Sequence, residues 1–203
     1  MKILNLYYSY GINNVRYKNN RFIGTVKTVQ FLGQNKYRTI QVGDTPIDQR
    51  YINIRSFRRV DGYVYRGGKP SVEKIRVLKN MGIDTIIDFT NGNDSLGNIN
   101  YEERTAKSLG MSYINLPFSP SENPPEEHIE KFFKIVEHAR KDNKKVYIHC
   151  QRGHDRTGLF ASMYKLKYNI ADIETCIREM LEYGHNRNYI SHITFLRKFC
   201  RSL

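Results

Sequence analysis

At 203 residues, with 39% hydrophobic, 12% aromatic and 26% charged residues, the chain can bury one full core and carry an appendage. No stretch approaches the roughly 18–20 apolar residues of a membrane span, and the start MKILNLYYSYGINN lacks the apolar region and cleavage site of a classical secretory signal. The net charge of +13 is uneven, because residues 1–60 hold eleven Lys and Arg against two acids, and residues 61–203 hold twenty-two against eighteen.

That basic N-terminal third suits an anionic partner surface, such as nucleic acid, a membrane surface or a polyphosphorylated ligand; the plain alternative is a basic, solvated appendage. Residues 1–20 are rich in Asn and Tyr and show no clean periodicity, so no element is read there and partial disorder is expected. Arg21–Leu32 is β-branched and aromatic, Gly33-Gln34-Asn35 reads as a turn, and KYRTIQV reads as a returning strand. Residues 1–56 are therefore expected to form a basic, β-hairpin-like extension, and residues 57–203 the main domain.

From Phe57 onward strands and helices alternate. DGYVYRGG is a short strand with glycine turns. Ser71 is placed to cap a helix, VEKIRVLKNMG, that ends at Gly82. DTIIDFT is a buried strand, NGNDSLGN a polar loop, YEERTAKSLG a helix and SYINLPF a further strand. Asn123 is read as the cap of the next helix, with Pro124 at its first position. Ile129, Phe132, Phe133 and Val136 recur on that helix at core spacing. KKVYIHC is a strand, GLFASMYKLKYN a helix, and ADIETCIREMLEYG and SHITFLRKFC complete a helical C-terminus. The order implies an α/β fold, a central mostly parallel sheet flanked by helices.

The chemistry concentrates in VYIHCQRGHDRTGLF, Val146 to Phe160. A loop from a strand's end to a helix N-terminus gathers backbone N–H groups and the positive helix dipole around one point, which suits a phosphate-sized oxyanion. Gln151, Arg152, Gly153, His154, Asp155 and Arg156 would form this cradle. Gly153 and Gly158 remove side chains where backbone must bend or approach. Arg156 offers a planar fork for two phosphate oxygens. Cys150 at the cradle's mouth would be held largely as thiolate, a nucleophile for phosphoryl transfer, with Thr157 placed to hydrogen-bond its sulfur. The cradle supplies the positive charge itself, so neither metal nor cofactor is expected. His149 is read as ordering the loop, and Cys176 and Cys200 as packing residues. Three cysteines without metal or disulfide spacing suggest a reducing compartment, the cytoplasm, with unconventional secretion left open.

His149-Cys150-x-x-Gly153-x-x-Arg156-Thr157-Gly158 resembles the HCxxGxxRTG signature of the cysteine-dependent protein tyrosine and dual-specificity phosphatases. FRRVDGYVYRGGKPS, GIDTIIDFT, the EER helix and YINLPF extend the likeness, over about residues 57–200, to the small bacterial members. The resemblance implies hydrolysis of phosphate monoesters through a cysteinyl-phosphate intermediate. In that family an Asp on a mobile upstream loop usually supplies the leaving group's proton. The matching region, Pro117 to Pro125, contains no Asp. Glu122 is one substitute and Asp155, directly before the arginine, is the other; Asp94 or water would complete the set.

Phosphotyrosine or phosphoprotein is the expected substrate, with Tyr65, Tyr101 or Phe118 as candidates for an aromatic pocket wall. Arg152 and His154, read as pointing outward, together with the basic N-terminal third favour a phosphoinositide or inositol phosphate as the alternative. The phosphatase and tensin homologue is similar here, with basic loop residues and a PF…NPP segment. Two readings of other classes are a catalytically weak phosphate-binding module and a sulfur-transfer domain of rhodanese type, against which the Arg156-Thr157-Gly158 ending argues.

Overall fold

A computed structural model of the chain describes residues 52–91 and 101–203, and the backbone of five short strands before them. The chain packs as two compact units, residues 1–48 and 49–203. In the first, β1 (Ile3–Leu4), β2 (Val15–Lys18) and β3 (Arg21–Phe22) form an antiparallel sheet in that order. β4 (Lys27–Phe31) and β5 (Tyr37–Gln41) pair antiparallel from Lys27 opposite Gln41 to Phe31 opposite Tyr37. The expected hairpin is therefore present, although the run from Arg21 divides into β3 and β4. The turn read at Gly33-Gln34-Asn35 lies outside the described residues. β1 and β2 fall where no element was read, because two-residue pairings are too short to leave an alternating pattern.

The second unit carries a five-stranded sheet: β6 (Arg58–Arg59), β7 (Val64–Gly68), β8 (Ile83–Asp88), β9 (Ser112–Asn115) and β10 (Lys145–Cys150). Their order is β6-β7-β10-β8-β9, and all neighbours are parallel except β6 with β7. Among the described residues, six helices flank the sheet: α1 (Val72–Asn80), α2 (Tyr101–Ser108), α3 (Glu126–Lys141), α4 (Asp155–Lys167), α5 (Ile173–Glu182) and α6 (Ile190–Arg201).

Side-chain alternation splits the sheet's apolar residues between two cores. Val64, Ile87, Val146 and Ile148 face a core shared with Phe132 and Val136 of α3, Leu159, Phe160 and Met163 of α4, Met180 of α5 and Leu196 of α6. Tyr65, Ile83, Ile86 and Tyr147 face a second core with Ile75 and Leu78 of α1 and Ala106 of α2. Cover on both faces explains why KVYIHC, on the central strand, is buried at nearly every position rather than at every other one. Ile52 and Ile54, assigned above to the extension, are buried in this second core with Phe57, so the domain begins before residue 57.

Two helix starts differ from expectation. Ser71 stands at the N-cap of α1, but its hydroxyl donates to Glu73 Oε2 at 2.6 Å instead of accepting from a helix amide. α3 begins at Glu126 with Pro125 as N-cap, not after Asn123. A residue before proline is driven out of the α region, so neither Asn123 nor Pro124 can enter the helix.

α4 is buried along most of its length and serves as the domain's central helix. Its Phe160 ring stacks on Phe89 at 4.2 Å and meets Phe118 and Phe132 edge-on. No helix among the described residues is long and apolar enough to cross a membrane. Phe160→Ala is predicted to lower the unfolding free energy by about 3–5 kcal/mol in chemical denaturation; a loss well under that would mean the aromatic cluster collapses onto the cavity.

Candidate active site

β10 runs out at Cys150 and α4 begins at Asp155, so residues 151–154 form the connection between them. In register, Cys150 lies beside Gly68, and His149 lies between Gly67 and Asp88. Gly153 adopts φ +78, and a Cβ there would fall 2.4 Å from the Gly67 carbonyl carbon. The loop therefore rests directly on the backbone at the end of β7. Gly67 and Gly68, read above as a turn, are strand residues: a Cβ on Gly67 would fall 2.4 Å from the Tyr147 hydroxyl, and one on Gly68 would press on the Gln151 carbonyl at 3.2 Å. Gly158 is less demanding: a Cβ would meet Arg66 Nη2 and Met180 Cγ at an ordinary 3.6 Å.

Cys150 is 3% exposed. Burial alone would push its thiol up. The Thr157 hydroxyl and amide, the Arg156 charge and the Gly153 amide outweigh that and hold it below the ordinary thiol range. Thr157 is fully buried, and among the described residues its hydroxyl has no oxygen or nitrogen partner to compete with the sulfur. Arg156 is also buried. Its Nη1 donates to the carbonyls of Phe89 at 2.8 Å and Phe118 at 2.9 Å, while Nε has no acceptor among the described residues. One side of the guanidinium is thus pinned by protein and a buried donor on it is left over, as a phosphate clamp requires.

His149 anchors the strand end from below. Its Nε2 lies 2.7 Å from Glu102 Oε1, and its Nδ1 3.4 Å from the Cys150 carbonyl and 3.7 Å from Asp88 Oδ1. Asp88 in turn accepts from the Thr90 amide and hydroxyl and from the Tyr113 hydroxyl. All three ionisable groups are buried. Burial lowers the imidazole's pKa, but Glu102 and then Asp88 raise it further, so the net shift is upward.

The remaining residues sort by position. Gln151 and Arg152 are exposed on the outer side of the loop. His154 is half-buried and tied to Ser56 Oγ at 2.9 Å, so it does not simply project outward as expected. Asp155 is engaged: Oδ1 accepts from the Asn186 amide at 2.7 Å and faces His185 Nδ1 at 3.4 Å. Glu122 has an exposed carboxylate that no described residue hydrogen-bonds, while its carbonyl accepts from His192 Nε2 at 2.8 Å. Ser191 Oγ donates to the neighbouring Ser121 carbonyl at 3.3 Å. The start of α6 thus carries the loop bearing Glu122. Asp94 lies outside the described residues.

Cys176 is fully buried in α5, where burial pushes its thiol up to about 11, and Cys200 packs at the core's edge. Tyr65 and Phe118 are core residues, and Tyr101 is 64% exposed. Arg66, Glu102, His185 and His192 were not singled out from the sequence. Arg66, whose Nη2 donates to the Gly153 carbonyl at 2.7 Å, had one legible signal, its place directly before the glycine pair Gly67-Gly68.

The His149–Glu102 pair makes a pH-dependent prediction. Because the folded imidazole titrates above its unfolded value of about 6.5, the pair's contribution is complete below that value and is lost as pH rises through the folded one. Glu102→Gln should cost roughly 3 kcal/mol at pH 6 and less at pH 9 in urea unfolding. Equal losses at both pH values would show that His149 is not charged in the fold.

Residues 53–197 match the family described as "DSP-PTPase phosphatase fused to NAD+ Kinase". Protein 197R of Invertebrate iridescent virus 6, which bears the name of a tyrosine phosphatase, is 30% identical over 122 residues, 56% of this chain and 42% of the viral protein. The dual specificity protein phosphatase TpbA of Pseudomonas aeruginosa is 22% identical over 128 residues, 62% of this chain and 53% of TpbA. The chain thus spans about half the length of these curated relatives. TpbA in complex with phosphotyrosine superposes with a TM-score of 0.60 at 16% identity, over 78% of this chain and 93% of TpbA's. The core catalytic domain of the PP-IP phosphatase SIW14 from S. cerevisiae gives 0.59 at 19% identity, over 71% and 85%. Those two structures share the fold, and the family match takes in Cys150, Arg156 and the strands and helices that hold them: the chain belongs to the DSP-PTPase phosphatase family.

Proposed function

We propose that the chain hydrolyses phosphate monoesters, with phosphotyrosine or another phosphoprotein as substrate. The observation that carries this reading is the pairing of a buried Cys150, held toward thiolate, with a buried Arg156 whose Nε has no acceptor among the described residues. Cys150 Sγ attacks phosphorus as the ester P–O bond breaks, and the leaving oxygen takes a proton from a carboxylic acid. Water then attacks the cysteinyl phosphate, giving its proton to the same carboxylate, and the S–P bond breaks to release inorganic phosphate and thiolate. Arg156 and the amides of Gln151 to Arg156 hold the phosphoryl oxygens in both steps. Thr157 steadies the departing thiolate.

Glu122 is the better proton donor of the two carboxylates. Its side chain is exposed and uncommitted among the described residues, whereas Asp155 is occupied with the Asn186 amide and His185. Asp155 ties the start of α4 to the segment before α6. No cysteine is disulfide-bonded, which suits a thiolate enzyme in a reducing compartment such as the cytoplasm.

A second reading, an inositol phosphate or phosphoinositide, draws on the cations near His154. Burial lowers that imidazole first, and the charges of Arg55, Arg152 and Arg66 add to the lowering while Asp155 opposes it. A substrate bearing several phosphates would meet favourable potential at this mouth.

Phosphate release should be measured on phosphotyrosine peptide, phosphoserine peptide, phosphoinositides and inositol phosphates. Cys150→Ser should abolish it, and Arg156→Lys should lower kcat/KM by roughly 10²–10³-fold. The preferred substrate chooses between the two readings, and tight binding of any of them without turnover would make the chain a phosphate-binding module. Glu122→Gln should lower kcat about 10²-fold or more on poor leaving groups and flatten the acid-to-neutral pH–rate profile, with Asp155→Asn milder. Equal, mild losses for both would rule out a single dedicated acid.

A further inference from the structure

Arg66 is a buried charge that the chemistry above leaves without a task. It lies on β7 two residues after Val64, and alternation sets it on the same face of the sheet as Val64, beside Ile148 of β10. That face is apolar core, and Arg66 stands where the core gives way to the loop after Cys150. Only 3% of the residue is exposed. Nη2 donates to the Gly153 carbonyl at 2.7 Å, Nε has no acceptor among the described residues, and the Tyr183 ring lies 5.4 Å from the guanidinium carbon. A Cβ on Gly158 would stand 3.6 Å from Nη2, so the cation is held between β7 and the first turn of α4.

This is an unfavourable place for a cation, because a helix N-terminus favours anions. Burial brings Arg66 down to about 10, against the opposing charges of Cys150, Tyr183 and Glu179. The position makes sense if the guanidinium serves the loop. The peptide bond after Gly153 is trans, so its C=O and the following N–H point to opposite sides. A carbonyl drawn toward Arg66 turns the His154 N–H the other way, to join the loop's remaining donors.

We propose that Arg66 is a positioning residue for the bound oxyanion: it fixes the peptide plane between Gly153 and His154 so that the loop's amides converge, and its charge adds to the field at the Cys150 sulfur. The assignment rests on the phosphatase reading of the same loop. Arg66 acts through the loop and not on the reacting atoms.

The test compares the full wild-type chain with Arg66→Lys and Arg66→Met in two readouts that do not need turnover. The first is the pH midpoint of Cys150 alkylation by iodoacetamide, followed on the Cys150 peptide. The second is the tungstate concentration that protects Cys150 from alkylation. Arg66→Met should raise the midpoint and require about ten-fold more tungstate, the loss of one charge-assisted hydrogen bond's worth of binding. Arg66→Lys should keep the midpoint but also require more tungstate, since an ammonium lacks the planar fork. A folded Arg66→Met that matches wild type in both readouts overturns the proposal. If that variant does not fold, Arg66→Lys decides, and unchanged protection by tungstate overturns it equally. A wild type with neither a lowered midpoint nor protection takes down the phosphatase reading and this assignment together, whereas defects confined to the variants concern Arg66.

Discussion

Positive charge is gathered at the junction of β10 and α4 in a place nearly closed to water, and the rest of the domain holds it there. Arg66, Arg156 and the N-terminus of α4 surround the Cys150 sulfur, and both guanidiniums are buried. Each is steadied by backbone carbonyls, Gly153 for Arg66 and Phe89 and Phe118 for Arg156. Carbonyl dipoles orient a guanidinium without cancelling its charge, as a carboxylate would. The potential thus remains available to a thiolate and to an incoming oxyanion, at a cost in desolvation that the two apolar cores must offset.

Holding such a loop takes contact from three directions. On one side Gly153 rests on Gly67 and Gly68, so close that a single methyl group would have to displace backbone. Beneath, His149, Glu102 and Asp88 form a buried network that ties β10 to α2 and to the end of β8. Beyond the loop, Asp155 reaches His185 and the Asn186 amide, and His192 carries the carbonyl of Glu122. Burial lowers the pKa of both His185 and His192, so both favour the neutral form, and His192 donates to a carbonyl without adding charge near the site. The phosphate loop and the loop bearing Glu122 thus share one support, the segment from His185 to His192.

Aromatic packing joins this arrangement to the core. The carbonyls that hold Arg156 belong to Phe89 and Phe118, whose rings pack on Phe160 in the centre of α4. α4 also carries Arg156 in its first turn. Arg156 and the carbonyls that aim it are therefore fixed by the same hydrophobic cluster, and a loss of packing there reaches Arg156 through those two hydrogen bonds and through α4 itself.

The order of elements, the mostly parallel sheet and the loop from Cys150 to Arg156 were legible in the sequence, because each rests on local pattern: alternation, helical spacing, and a motif whose residues lie within a few positions. Helix starts were less so, since Asn123 and Pro124 looked like a cap until the second proline's effect on its predecessor was counted. Arg66, Glu102, His185 and His192 come from four separate elements and loops, each 29 or more positions from the loop between Cys150 and Arg156. Their meaning depends on which strands become neighbours and which side chains those strands bring to one face. The choice between Glu122 and Asp155 was equally open in the sequence, where both are carboxylates near the right place. What separates them is a hydrogen bond from the Asn186 amide, made only when the chain has folded back on the start of α4. Local sequence determined the Cys150–Arg156 loop and the frame; tertiary contact decided which distant charges support that loop, because burial and partnership belong to the fold and not to any short stretch of residues.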